Sequence, residues 1–231
     1  AGACTQAHPH QSRPEGPEGG QAEKGAEMIK HQLQSGVIWE GDWMEAPLEG
    51  GYHMAEVDGP YGLRKAAWDM MNIEGLAAWY RPHLARLTSL MAESSSFYLW
   101  NRAEGWARLD PEMRALGWEL RTLIVWHKTG ANPALLSAKT SKKWPDVTEV
   151  CGHYTRGDAY HKGDGSSNVW EFGTTSDLEP ERLKSDNKTW RTVGGGTTSG
   201  NGKWCVDPLH PCQKPLLFAE RMVQASTRPG M

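Results

Sequence analysis

The chain has 231 residues, a formal net charge of −3 and 38% hydrophobic residues. That is enough for one sizeable domain with a core, and it excludes both a wholly disordered chain and a polycation that binds nucleic acid by bulk charge alone. No apolar run approaches the roughly 18 residues needed to span a bilayer, no signal peptide is read in the sequence, and the four cysteines read as reduced thiols of a cytoplasmic protein.

Residues 1–27 contain no Val, Ile, Leu, Met or aromatic residue and read as a disordered tail or linker, since nothing there offsets the entropy of ordering. The folded domain is expected over residues 28–231. Val37 to Glu40 reads as a short strand, followed by Gly41-Asp42. Tyr52 to Val57 reads as a second strand ending at Asp58 and the turn Gly59-Pro60. Leu76, Tyr80, Leu84, Leu87 and Met91 fall at helical spacing, with Pro82 expected to kink or restart the helix. Ser95 to Trp100 is a third strand. Residues 102–117 form a second helix, with Asp110-Pro111 as a restart signal, and Leu120 to Trp126 is a fourth strand. The alternation predicts an α/β fold with a mostly parallel, doubly wound sheet. Val147 to Tyr154 suits a further strand. Residues 173–203, rich in Gly, Thr, Ser and Lys, read as a long mobile loop. Pro215 to Ala225 is an amphipathic helix with Leu216, Ala219, Met222 and Val223 on one face.

Charge is unevenly distributed. Residues 121–163 hold seven Lys or Arg against three Asp or Glu, and residues 181–203 hold five against two. A nucleic-acid footprint needs such local basic stretches, although solvated loops often carry them too. The twelve tryptophans suit either stacking surfaces or ordinary core filling.

The chemistry concentrates at Asp58-Gly59-Pro60-Tyr61. In an open parallel sheet, ligands bind beyond the C-terminal ends of the strands, and this segment sits at such an end. An exocyclic amine of adenine or cytosine is a poor nucleophile because its lone pair is delocalised into the ring. Asp58 and the backbone carbonyls of the Gly59-Pro60 turn can accept hydrogen bonds from that amine and free the lone pair. Tyr61 can stack on a base flipped out of a duplex. By itself the motif is also an ordinary turn after a strand.

Five segments in order carry a resemblance to a known family. They are Gly41-Asp42; Asp58 to Gly62, followed by the strand Tyr98-Leu99-Trp100; Ile124-Val125-Trp126-His127-Lys128; Asn168 to Phe172; and His210-Pro211-Cys212-Gln213-Lys214-Pro215. From about residue 36 to 231 the chain resembles the DNA amino-methyltransferases with an Asp-Pro-Pro-Tyr motif, in the permuted class that places the catalytic motif ahead of the cofactor-binding one. The resemblance implies a Rossmann-like methyltransferase fold and transfer of a methyl group from S-adenosylmethionine to adenine N6, with cytosine N4 as second choice. It implies Asp58, Gly59, Pro60 and Tyr61 as the reaction centre. Asp42, Asp58, His210, Pro211, Gln213, Lys214 and Pro215 would hold the cofactor. Residues 129–209 would contain the target-recognition region, where Lys139, Lys142, Lys143, Arg156 and Lys162 would contact phosphates. The partners implied are double-stranded DNA and a restriction nuclease encoded nearby, in a bacterial, archaeal or phage setting.

Two departures stand out. Gly59 replaces the family's first proline, which leaves the turn less pre-set. The family's strand with a Phe-x-Gly-x-Gly loop is expected directly after a Pro-Gly such as Pro229-Gly230, and the sequence ends before it, so the chain reads as a fragment with its sheet incomplete at the C-terminus. Three alternatives stay open: a catalytically inactive nucleic-acid-binding relative of the same fold, an RNA or protein methyltransferase with a similar motif, and a zinc module using Cys151, His153, Cys205, His210 and Cys212. The spacings of this last set fit no compact finger, and no metal is expected.

Overall fold

The computed structural model describes residues 28–34, 36–63, 69, 71–129, 146–173, 184–186, 189–191, 197–199, 204–205, 214, 216–229 and 231. The sequence reading of a tail at 1–27 lies outside them. The chain divides into two compact units, residues 1–47 and 48–231.

In the first unit, β1 (Ile29–Gln32) and β2 (Val37–Glu40) form an antiparallel hairpin. A single 3-10 turn, Trp43–Glu45, follows, and Asp42 caps it by accepting from the Met44 amide at 3.0 Å.

The second unit is built on a five-stranded sheet. Its strands are β3 (Tyr52–Val57), β4 (Met91–Asn101), β5 (Glu119–Thr129), β6 (Thr148–Arg156) and β7 (Val169–Gly173), in the order β3-β4-β6-β5-β7. β3 pairs parallel with β4, and β5 parallel with β7, while β6 runs antiparallel between β4 and β5. The sheet is therefore mixed: β3, β4, β5 and β7 point one way and β6 the other. Helices α1 (Leu76–Leu90) and α2 (Ala103–Ala115) supply the crossovers.

Strand β4 decides the layering, because it is buried on both faces. Phe97 and Leu99 join Leu76, Tyr80 and Leu84 of α1 and Leu109 and Met113 of α2 in one core. Tyr98 and Trp100 point the other way and join Ile124, Trp126, Cys151 and Trp170 with Phe218 and Met222 of α3 (Leu216–Ser226) in a second. The tryptophans described in these cores are filling rather than surface. The Phe218 ring stacks on Trp100 at 5.3 Å and meets the rings of Trp126 and Trp170 at 5.1 and 5.2 Å.

Some sequence expectations need correction. α1 passes through Pro82 and α2 through Pro111 without a break in either helix. A proline removes one amide donor, but each helix lays buried residues on the sheet from both sides of its proline, and this packing holds the run together. The buried positions of α3 are Phe218, Met222 and Ser226, one helical row, whereas Val223 is 46% exposed. Between 173 and 203 the chain is not loop throughout. Strands β8 (Lys184–Asp186), β9 (Thr189–Arg191) and β10 (Thr197–Ser199) form an antiparallel sheet with β11 (Trp204–Cys205).

If Phe218 is the keystone of the second core, Phe218→Ala will lower the unfolding free energy by about 3–5 kcal/mol, the range for deleting a buried aromatic ring. Urea denaturation followed by tryptophan fluorescence measures it. A loss below about 1 kcal/mol would show that α3 is not held through this ring.

Candidate active site

The C-terminal ends of β3 and β5 lie on the same edge of the sheet, and the antiparallel β6 begins there. Asp58 follows the last residue of β3, Lys128 is near the end of β5, and Glu149 is the second residue of β6, opposite Trp126. Alternation along each strand turns Glu56, Lys128 and Glu149 to the face that α3 covers. Lys214 stands just before α3 and reaches into the same place.

These groups form one connected cluster. The Lys214 ammonium donates to both carboxylate oxygens of Asp58, at 2.8 Å each, and to the Tyr61 hydroxyl at 2.9 Å. It also lies 3.0 Å from Oε2 of Glu149. The Tyr61 hydroxyl is 2.9 Å from Asp58 Oδ1 and 2.9 Å from Glu149 Oε2. Its single proton serves one carboxylate at a time. Lys128 pairs with the other Glu149 oxygen. The rings of Tyr61, Trp100 and Trp126 surround the Lys214 ammonium at 5.3, 5.4 and 5.9 Å, within cation–π range.

The electrostatics follow from this burial and pairing. Burial by itself would push the Lys214 ammonium down, but the carboxylates of Asp58 and Glu149 outweigh it and hold the group above its usual value. Burial likewise pushes the Glu149 carboxyl up, and Lys214 and Lys128 together bring it below its ordinary range. The Tyr61 phenol is driven well up by burial and by the two neighbouring carboxylates, so it stays protonated and serves as a donor. Burial also raises Glu56, against the hydrogen bond it accepts from Trp100 Nε1 at 3.0 Å. Asp58 keeps a 26% exposed side chain, and the Lys214 side chain is 10% exposed.

The backbone around the motif is fixed from outside it. Tyr80, buried in α1, donates its hydroxyl to the Pro60 carbonyl at 3.1 Å. A Cβ on residue 59 would sit 2.5 Å from that hydroxyl oxygen, so a glycine is needed here. Gly62 has φ +72° and the Ile73 backbone 3.1 Å from where a Cβ would be, a second position that requires glycine. The buried Asp69 carboxylate accepts from the amides of Gly62 and Leu63 at 2.8 and 2.9 Å.

Among the residues singled out from the sequence, the structure brings together Asp58, Pro60, Tyr61 and Lys214, with Gly59 in the turn between them. Asp42 belongs to the first unit. His210, Pro211, Gln213, Pro215, Lys139, Lys142 and Lys143 lie outside the described residues. Arg156 is engaged elsewhere. Its guanidinium donates to the carbonyls of Thr88, Met91 and Ala92 at 3.2, 2.6 and 3.1 Å and lies over the Trp118 ring, closing the C-terminal end of α1. Lys162 donates its backbone amide to Ala225 at the far end of α3, about 15 Å along that helix from Lys214. Its side chain borders a cavity of about 240 Å³ with Tyr98, His153 and Arg221. Within that cavity burial lowers His153 to about 4, and the imidazole stacks on Tyr98 at 4.5 Å.

Sequence reasoning missed Glu149, Tyr80 and Asp69. Lys128 stood at the end of a quoted strand without a role. Only the register of β5 against β6 puts Glu149 beside it, and no local pattern announces that.

A family model described as DNA methylase, covering N6 and N4 methyltransferases, matches residues 52–231. The chain belongs to the DNA methylase family. That family is S-adenosylmethionine-dependent and has a Rossmann-like fold. Among solved structures the chain is similar to the PvuII DNA methyltransferase (cytosine-N4-specific), with a TM-score of 0.55 and 11% identity, over 80% of this chain and 67% of that one. It is also matched by the M1.HpyAVI–SAM complex, with a TM-score of 0.48 and 11% identity, over 81% of this chain and 72% of that one. Identities at this level bear on the fold alone. No curated protein matches the chain.

The Tyr80 contact explains the missing proline and can be tested. Gly59→Ala will cost on the order of 1–3 kcal/mol by overpacking against the hydroxyl. Tyr80→Phe alone will cost about 0.5–1.5 kcal/mol, the worth of one hydrogen bond. The double variant will be more stable than the sum of the two losses implies, because the oxygen in the way is gone. Urea midpoints of the four proteins decide it, and strictly additive losses would remove Tyr80 as the reason for glycine.

Proposed function

We propose that this DNA methylase transfers a methyl group to the exocyclic amine of a base in double-stranded DNA, with adenine N6 as the acceptor. The observation that carries the reading is the Asp58 carboxylate, partly exposed at the strand ends and held by Lys214, a residue 156 positions away in sequence. A carboxylate fixed in this way can accept a hydrogen bond from an amine and draw electron density back to its nitrogen. The Pro60 carbonyl is already taken by Tyr80, so the Gly59 carbonyl is assigned the second acceptor role. No covalent enzyme intermediate is needed, because positioning the nitrogen against the donor carbon supplies the rate.

The described residues suit the reacting end of S-adenosylmethionine. Its sulfonium is a cation, and the edge offers the partly exposed Asp58 carboxylate beside the Tyr61 ring. When bound, the cofactor supplies an electrophilic methyl group. Asp58 orients the amine and takes up the proton that the methylated nitrogen must lose, while Tyr61 offers its ring face to a flipped base. We assign Asp42 and the segment His210 to Pro215 to the cofactor, and Lys139, Lys142, Lys143 and Lys162 to DNA phosphates. Arg156 is not assigned to phosphate, since its donors close α1.

No helix among the described residues is long and apolar enough to cross a membrane, and a cytoplasmic location with access to DNA fits the proposed activity. A nuclease partner follows only if the methyl mark protects a restriction site.

The test is transfer of labelled methyl from S-adenosylmethionine to unmethylated plasmid DNA, followed by enzymatic digestion and chromatography of the nucleosides. N6-methyladenine is expected, and N4-methylcytosine would move the acceptor assignment. Asp58→Ala should lower kcat on the order of 100- to 1,000-fold, as loss of a preorganised hydrogen-bonding group does. An unchanged rate would refute the mechanism, and DNA binding without any transfer would favour the inactive relative.

A further inference from the structure

We propose that Glu149 is a positioning residue for this reaction, an alternative acceptor that takes over the two donors occupying Asp58 when a base amine arrives there. The inference rests on the reading of Asp58 as the amine's acceptor.

Both donors now on Asp58 have Glu149 as an equivalent partner. The Tyr61 hydroxyl is 2.9 Å from Asp58 Oδ1 and 2.9 Å from Glu149 Oε2. The Lys214 ammonium is 2.8 Å from Asp58 and 3.0 Å from Glu149 Oε2. Both can therefore turn towards Glu149 without leaving the cluster or exposing a bare charge. That matters because hydrogen bonds from a charged ammonium are roughly twice as strong as neutral ones. A neutral base amine competes poorly for a carboxylate that holds an undivided ammonium. Lys128 completes the arrangement by pinning Glu149 Oε1, which leaves Oε2 directed at Lys214 and Tyr61. The two lysines balance the charges of Asp58 and Glu149, so moving the ammonium a short way leaves the local charge unchanged.

The groups facing the Lys214 ammonium are Glu56, Asp58 and Tyr61 from β3 and the turn after it, Glu149 and Cys151 from β6, Lys128 from β5, and the rings of Trp100 and Trp126. Asp58 and Glu149 are the two that raise it. Removing the Glu149 charge lowers the pH at which Lys214 loses its proton. A neutral Lys214 no longer competes as a cation for Asp58, so the defect of such a variant must shrink in alkali.

The experiment compares kcat of the full-length enzyme and its Glu149→Gln variant on unmethylated plasmid DNA from pH 7 to 9.5. The parental rate should exceed the variant's by about tenfold or more at pH 7, and the ratio should narrow as the pH rises towards 9.5. Glu149→Asp keeps the charge on a shorter arm, so it should show a smaller deficit that changes little with pH, which provides a readout if Glu149→Gln does not fold. A Glu149→Gln ratio that is the same at every pH, or either variant as fast as the parent, would overturn the inference and leave the methyl-transfer reading intact. A parent that transfers no methyl group to DNA at any pH would overturn both.

Discussion

Burial of β4 on both faces is the constraint from which the active edge follows. A strand that places Phe97 and Leu99 on one side and Tyr98 and Trp100 on the other needs apolar cover twice. α1 and α2 come from the adjacent crossovers and cover the first side. The second side has no local helix available, and α3, more than a hundred residues further along, fills it by inserting Phe218 among three tryptophans. Lys214 immediately precedes that helix, so the packing that completes the core also delivers the cation to Asp58. The hydrophobic link and the ion pair cannot be separated in this fold.

Charge then limits what that edge can hold. Asp58, Glu149, Lys128 and Lys214 lie within one hydrogen-bonded cluster, largely shielded from water. Taking a single charge out of water is costly unless it is paired and hydrogen-bonded. Two acids and two bases make the cluster neutral as a whole, and each oxygen described has a donor within reach. The pairing is not rigid, however. More acceptors surround the Lys214 ammonium than it has protons, and Tyr61 has one proton for two carboxylates. Such a cluster is stable as a set while its individual bonds remain interchangeable.

Much of this was legible in the sequence, for identifiable reasons. The strand at Tyr52–Val57 was recovered with its boundaries because alternation and the Gly-Pro turn act locally. The helix at 76 was found from apolar spacing and the one at 103 in its place, but their prolines were over-read as breaks, since packing against β4 overrides a single missing donor. The reversal of β6 could not be read, because direction in a sheet depends on the connection and not on the strand's own residues. Glu149 was hidden for the same reason, as its partner Lys214 is 65 positions away in sequence and meets it only through the fold. The face of α3 was misjudged by one step, because Phe218 and Val223 are equally apolar and only the tryptophan pocket distinguishes them.

The glycine at 59 shows how a local rule can be satisfied from a distance. Two successive prolines would stiffen the turn after Asp58 through their own rings. Here one of them is replaced by the residue with the greatest backbone freedom, and from sequence alone this looks like a loss of order. The structure supplies the stiffness from outside: the Tyr80 hydroxyl fills the space a side chain at 59 would need, and its hydrogen bond grips the next carbonyl. Tyr80 is itself immobilised, fully buried in α1 against β4. The Asp69 carboxylate performs the same service one step further on, holding the amides of Gly62 and Leu63. The order of the turn therefore depends on the first hydrophobic core, and any change that loosens α1 against β4 would reach Asp58 through Tyr80 before it reached the sheet.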